Sequence, residues 1–272
     1  MRLLTLLTDF GTRDYYVGAV KGTVLRLAPG TQLVDLGHDL APGDVEGAAE
    51  LLAAAAPTFP RGTVHLAVVD PGVGSGRRIL AAEAGGQRFV APDNGLLAPV
   101  LRRGEAAEGP GAVLHAVTRQ DLFLPGPGAT FHGRDRFAPV AAALLRGDHP
   151  AALGPPIDDP VPLAVPPPRR ERQRDGEVLL GRIARVDRFG NLITDLPAEW
   201  VGQGERGACE LQVGGHRVSR WVTHYAELPD DEPGVLVGSL GTLEVSLRDD
   251  DLAARWELRR GVPVRLVLNR EG

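Results

Sequence analysis

The chain has one cysteine, Cys209, and one lysine, Lys21, among its 272 residues. A single cysteine excludes an internal disulfide framework, a cysteine-based zinc site and a cysteine-rich cluster. No stretch of about 18 consecutive apolar residues occurs, which excludes a hydrophobic membrane-spanning helix. The opening MRLLTLLTDF reaches acidic and glycine residues too early for a signal peptide, so a cytoplasmic protein is expected. An excess of positive charge is also missing. The formal net charge of −5 argues against a broad nucleic-acid surface. Arginine supplies the remaining basic residues, a compositional bias that points to no functional class.

What is present is a chain able to bury a large core. It is 43% hydrophobic and long enough to bury roughly three quarters of its unfolded surface. Residues 3–8 form a short apolar run, followed by helical spacing of Tyr16, Val20, Val24 and Leu27 up to Pro29-Gly30. Residues 32–36 predict a second strand, and Asp44 caps a helix that Pro57 stops. Residues 64–69 are almost continuously apolar, as in a buried parallel strand. Residues 79–83 and 88–91, joined across Gly85-Gly86, predict a hairpin. Residues 134–145 predict a helix with Pro139 in its first turn. Together these imply an α/β fold: an amino-terminal three-layer domain with a mostly parallel sheet, over residues 1–153.

Residues 154–176 are rich in proline and charge and predict a semi-rigid linker. From 177 to 272 the helical signal nearly vanishes and short strands alternate with turns. The second, smaller domain is therefore expected to be an all-β barrel or sandwich.

In open α/β sheets, ligands bind beyond the carboxyl ends of the strands. Three loops qualify: Thr8-Asp9-Phe10-Gly11, the stretch from Asp70 to Arg77, and Pro92-Asp93-Asn94-Gly95. Any one of them is ordinary turn chemistry; three on one sheet edge favour a site. The second lacks a Gly-Lys-Ser/Thr ending and precedes strand-like residues, so a phosphate cradle is the weaker reading. Phe131-His132-Gly133-Arg134-Asp135 opens the 134–145 helix, where His132 is equally a ligand contact or a cap. His38 and Asp39 are expected at a solvated turn, and His65 is expected to be structural. In the second domain, Asp187-Arg188-Phe189-Gly190-Asn191 reads as a hairpin turn or as an aromatic face beside polar groups. The run from Ser239 to Glu244 reads as a turn into a strand, or as a ligand edge with Glu244 facing an ammonium group.

Taken in order, Asp-Phe-Gly at 9–11 with Asp14, Asp-Pro-Gly-Val-Gly at 70–74, Pro-Asp-Asn-Gly at 92–95, Phe-His-Gly-Arg-Asp at 131–135 and Phe-Gly-Asn at 189–191 resemble the S-adenosyl-L-methionine (SAM) hydroxide adenosyltransferase family. These SAM hydrolases are relatives of the fluorinase and chlorinase. The resemblance spans both domains, from about residue 3 to 268. It implies attack of water or hydroxide on the ribose C5′ of SAM, giving adenosine and L-methionine without a cofactor or metal. It also implies a homotrimer with sites between subunits; the charge balance and the lack of a long apolar run give the expectation of neither nucleic-acid nor membrane partners. The family's Asp, Arg and His triad matches Asp70, Arg77 and His132, with the neighbouring Arg78 as the alternative arginine. Its ribose-binding aspartate matches Asp9, and its methionine-binding aspartates match Asp14 and Asp187. Phe189 and Asn191 match the adenine side, Ser239 a methionine contact, and Asn94 and Glu244 complete the expected substrate residues. Halogenases carry Tyr at the position of Asp70, so Asp70 and His132 take the hydrolase form. Leu240 and Thr242 depart from the family's frequent aromatics.

The chemistry is consistent with this resemblance. A sulfonium leaves without protonation, so the task is to align water and accept its proton. A carboxylate with a reference pKa of about 3.9 is a poor base, whereas imidazole at about 6.5 is better matched. The expectation is that His132 and Asp70 orient and partly deprotonate water while Arg77 holds the carboxylate. Three alternatives stand beside it: a SAM-dependent halogenase, a non-catalytic SAM or adenosine sensor, and a metal-dependent hydrolase of phosphorylated small molecules. The last lacks any metal-ligand spacing.

Overall fold

The computed structural model describes residues 2–106, 111–125, 130–173, 176–202 and 209–269. The chain divides into two compact units, Met1–Val165 and Pro166–Gly272.

The first unit holds a six-stranded sheet. Its strands are β1 (Arg2–Thr8), β2 (Thr31–Gly37), β3 (Val64–Val68), β4 (Ile79–Ala84), β5 (Gln87–Pro92) and β6 (Val113–Ala116), in the order β2-β1-β3-β5-β4-β6. Only β4 runs against the others. Period-two alternation sorts the strand side chains to two faces. Leu4, Leu6, Leu66 and Val68 join a core with helices α1 (Tyr16–Leu27) and α4 (Ala138–Arg146). Leu7, Ala67, Val69 and Leu80 join another with α2 (Val45–Ala55) and α3 (Ala98–Ala106). Both faces are covered, which is why β3 is buried at every position. The helix predicted over 134–145 enters through a π-helical turn, Gly133–Phe137, and Pro139 then sits in the first turn of α4. Such turns are frequent at functional sites.

His65 on β3 is structural. Its ring stacks on Phe89 at 4.8 Å and its Nδ1 lies 2.7 Å from Thr5 Oγ1. Burial lowers its pKa from 6.5 to about 4, against a weaker raising effect of Gln87. The unfolded chain therefore takes up this proton near pH 6.5, while the folded chain resists until about pH 4. Stability is expected to fall across that window by on the order of 3 kcal/mol from this residue. His65→Gln should flatten that part of the profile in urea unfolding series. An equally steep profile in the variant would remove His65 as the cause.

The second unit is antiparallel. Strands β7 (Arg169–Gln173), β8 (Gly176–Val186), β9 (Leu192–Pro197), β10 (Glu210–Val213), β11 (His216–Val218), β12 (Gly234–Val237), β13 (Thr242–Ser246) and β14 (Pro263–Asn269) follow the order β11-β10-β14-β8-β9-β13-β12, with β7 beside β8. The chain leaving β11 runs to the free edge of β12, where Val222 N–H donates to Val235 O and Val235 N–H to Arg220 O. The two ends of the sheet are thus drawn together into a nearly closed barrel around Leu179, Leu192, Leu211, Val245 and Leu266. A short helix, α5 (Leu252–Arg255), precedes β14.

The stretch predicted as a linker is largely built into these units. Ile157 packs on the first unit's core and Asp159 pairs with Arg78. Residues 169–173 form β7. No helix among the described residues is long and apolar enough to cross a membrane.

Candidate active site

From β1 the chain passes to β2 on one side, then crosses back over β1 to β3 on the other. This reversal opens a crevice at the carboxyl ends of β1 and β3, where α/β folds place ligands. A cavity of about 380 Å³ lies there, lined by Asp9, Asp70, His132 and the rings of Phe10, Tyr16 and Phe131 among others.

Asp70 follows β3 and is held by a fork. Arg77 Nε donates to Asp70 Oδ1 at 2.6 Å, and its Nη2 pairs with Oδ2. The Asp70 side chain is only 5% exposed, so the pair is largely desolvated. Arg77 Nη2 also reaches His132 Nδ1 at 3.2 Å, and the guanidinium lies over the Phe137 ring. A guanidinium only donates, so Nδ1 is the acceptor and the ring proton resides on Nε2. That revises the expectation of His132 as a base: in this tautomer the ring is a donor. Its Nε2 is buried and has no hydrogen-bond partner among the described residues. Burial, then Arg136 and Arg77, hold the His132 pKa below the ordinary imidazole value, against weaker opposing effects of Asp70 and Asp135. Arg78 turns away to Asp93 and Asp159, which leaves Arg77 as the arginine of the cluster.

Asp9 lines the cavity, and its Oδ2 accepts from Gly43 N–H at 2.8 Å. Asp14 is exposed in the turn before α1. The third loop does not reach the cavity wall. Asn94 Nδ2 donates to Val69 O and its Oδ1 accepts from Leu96 N–H, so its amide braces the end of β3 instead of facing a ligand. His38 is buried, not at a solvated turn.

In the second unit, Asp187 organises its own loop. Its Oδ1 accepts from Phe189 N–H and Asn191 N–H, and its Oδ2 from Asn191 Nδ2, each at 2.9 Å. Gly190 takes φ +82° to close this turn, and Phe189 beside it is 75% exposed. Ser239 is exposed in the turn before β13. Glu244 departs from expectation: it is buried, and Oε1 accepts from Tyr225 Oη at 2.6 Å and Ser246 Oγ at 2.9 Å. Burial and then Glu244 push the Tyr225 hydroxyl well above its ordinary pKa, which keeps it a donor.

The tyrosines of the cavity's aromatic wall carry no motif in the sequence. Tyr16 meets Phe10 and Phe131 edge-to-face at 6.2 and 5.1 Å, and Tyr15 meets Phe131 at 6.2 Å. A Tyr-Tyr pair in a chain only 5% aromatic was the available signal. Among the described residues, no group of three or more His, Cys, Asp or Glu is gathered as metal ligands.

Residues 4–154 match the sequence model of the SAM hydroxide adenosyltransferase N-terminal domain, and residues 181–265 that of the C-terminal domain. The chain belongs to the SAM hydroxide adenosyltransferase family. A relative from Thermus thermophilus, an (R)-S-adenosyl-L-methionine hydrolase, is 44% identical over 98% of this chain and 100% of its own length. A hydrolase of the same name from Salinispora tropica is 42% identical over 70% of each chain. A fluorinase from an Actinoplanes species is 28% identical over 96% of each. Among solved structures, a conserved Thermotoga maritima protein superposes with a TM-score of 0.86 at 30% identity, covering 97% of this chain and 99% of its own. The match to both domain models agrees with the five motifs and with the division into an α/β unit and a β unit.

Proposed function

We propose that this family member hydrolyses SAM at the ribose C5′, giving adenosine and L-methionine. The observation that carries it is the Asp70–Arg77–His132 cluster at the crevice between β1 and β3. Its relatives at 42% and 44% identity bear the hydrolase name. Water is held between Asp70, which accepts its proton, and His132 Nε2–H, which donates to one lone pair while the other attacks C5′. The C–O bond forms as the C5′–S bond breaks, its electron pair leaving on the methionine sulfur. The oxonium so formed is acidic enough that a carboxylate suffices as acceptor, and no cofactor or metal is needed because the sulfonium is already an activated leaving group.

The relatives' name specifies (R). The L-methionine part already fixes its own centre, so the prefix denotes the sulfonium. We take the same epimer as this chain's substrate, to be checked by rates on separated (R) and (S) forms. Asp9 and Asp14 bind the ribose and methionine ends. Asp187, Phe189, Asn191 and Ser239 act from a neighbouring subunit of a homotrimer, a mass that light scattering reads directly. The cytoplasm is the proposed place of the reaction.

A halogenase is the second reading, favoured only by the more distant fluorinase relative. A carboxylate at position 70 disfavours an anion in the same cavity. Chromatography of protein incubated with SAM, with and without chloride, separates the readings: adenosine and methionine are expected, and a halogenated deoxyadenosine would displace the hydrolase. Unchanged SAM with nucleoside bound would instead indicate a sensor.

The His132 environment adds a pH prediction. Protonation at Nδ1 would set an N–H against the Arg77 guanidinium and disrupt the cluster. Turnover should therefore be level at neutral pH and fall on the acid side, with a midpoint below the ordinary imidazole value. Arg136→Gln removes a charge that lowers this pKa, so the acid midpoint should rise. A midpoint that stays put would separate the acid limb from His132.

A further inference from the structure

The only lysine of the chain stands at the outer end of a polar chain that ends at the Asp9 loop. Lys21 Nζ on α1 pairs with Asp35 Oδ2 on β2 at 2.6 Å. Asp35 Oδ1 lies 3.1 Å from His38 Nε2. His38 Nδ1 lies 2.8 Å from Thr8 Oγ1, and that oxygen accepts from Phe10 N–H at 3.3 Å. The backbone adds to this, since Gly11 N–H donates to His38 O at 2.8 Å and Gly43 N–H to Asp9 Oδ2.

Two features make this more than incidental packing. His38 and Thr8 are buried, at 6% and 0% exposure, directly behind two cavity-lining residues, Asp9 and Phe10. The register between β1 and β2 also slips here, Leu6 pairing with Asp35 but Leu7 with Gly37. Residues three apart on a regular strand point to opposite faces; the extra residue re-aims the chain so that Asp35 and His38 meet.

We propose that His38 is a positioning residue, which through Thr8 fixes the Asp9–Phe10 loop in its nucleoside-binding conformation. Asp35, held by Lys21, acts on Nε2 by charge at 3.1 Å, without the alignment of a hydrogen bond, and so favours the ring proton there. Nδ1 then accepts from the Thr8 hydroxyl, whose oxygen is left free to receive Phe10 N–H. This rests on the reading of Asp9 as a ribose contact.

The test uses the full chain with His38→Leu, His38→Asn, Thr8→Val and the double variant His38→Leu/Thr8→Val. Calorimetry reads adenosine affinity, steady-state assays read KM and kcat, and ring-nitrogen NMR reads the His38 tautomer. His38→Leu and Thr8→Val should each raise the adenosine Kd and KM about tenfold, with kcat within about threefold, a loss in keeping with a small displacement of a binding group. The double variant should be no worse than either single one, since both cut the same link. Asn places an acceptor where Nδ1 was and should restore the Kd to within about threefold. Losses that multiply, an Asn variant no better than Leu, or a folded His38→Leu with unchanged Kd would overturn the proposal.

If His38→Leu does not fold, Lys21→Met at the partly exposed end must still disturb the ring-nitrogen signals, and unchanged signals would count against the relay. The NMR measurement needs no ligand. Wild-type protein that shows the Nε2–H tautomer and binds adenosine without hydrolysing SAM would sink the hydrolase reading and leave the positioning role standing.

Discussion

Asp70→Asn should lower turnover by about 10³-fold while leaving the SAM dissociation constant within about threefold of wild type, as fits loss of a positioned proton acceptor. The substitution keeps the shape and one carbonyl oxygen. It removes the negative charge that the Arg77 fork grips and, in the proposed mechanism, the acceptor of water's proton. The C5′–S bond needs no acid to break, so in the proposed mechanism the protein's contribution to the chemical step is alignment of water and acceptance of its proton. Alignment in favourable cases is worth about 7 to 11 kcal/mol. Rapid-quench adenosine formation gives the rate, and binding of a non-hydrolysable SAM analogue gives the affinity. A variant with wild-type turnover, or one whose loss lies wholly in KM, would remove Asp70 from the chemistry.

Arg77→Lys is the second large effect, with about 10²-fold lower turnover expected although the charge is kept. Lysine cannot place donors on both Asp70 oxygens and on His132 Nδ1 at once. Asp70 and His132 would then lose their common hinge, and His132 its fixed tautomer. Arg77→Ala goes further. It strands a largely buried carboxylate, and a loss of about 3 to 5 kcal/mol in folding stability is expected. Paired measurements of turnover and thermal midpoint separate the two effects. Arg78→Lys provides the comparison: its partners are Asp93 and Asp159, away from the cluster, so its turnover should change less than threefold. Equal losses at 77 and 78 would contradict the assignment.

Much of this was legible in the sequence because apolar runs and Gly/Pro breaks mark α/β units directly. The loops after β1 and β3 hold the cavity acids because the chain reverses there. The third loop had the same composition but serves as a brace, a distinction made by where Asn94 turns. Composition alone cannot show that. Arg77 and Arg78 are adjacent, and only the direction in which each side chain leaves the start of β4 tells them apart. His38 looked like a turn residue because a one-residue slip between β1 and β2 leaves no periodic signal.

β7 was hidden for a different reason. Its sequence RRERQ has no apolar residue, as befits a strand whose neighbour alone defines it. Glu244 was misplaced because β13 is buried on both faces, so alternation says nothing about which side chains are accessible. In each case the missing information was a tertiary contact.

In the proposed mechanism, water held by Asp70 and His132 is the nucleophile at C5′. The most direct measurement is hydrolysis of SAM in oxygen-18 water, with mass spectrometry of the nucleoside from wild type and from His132→Ala. One labelled oxygen is expected, at the 5′-hydroxyl of adenosine, formed with free methionine, and a rate reduced at least about 10²-fold in the variant. A nucleoside without the label, a halogen at C5′, or an undiminished rate in His132→Ala would contradict it.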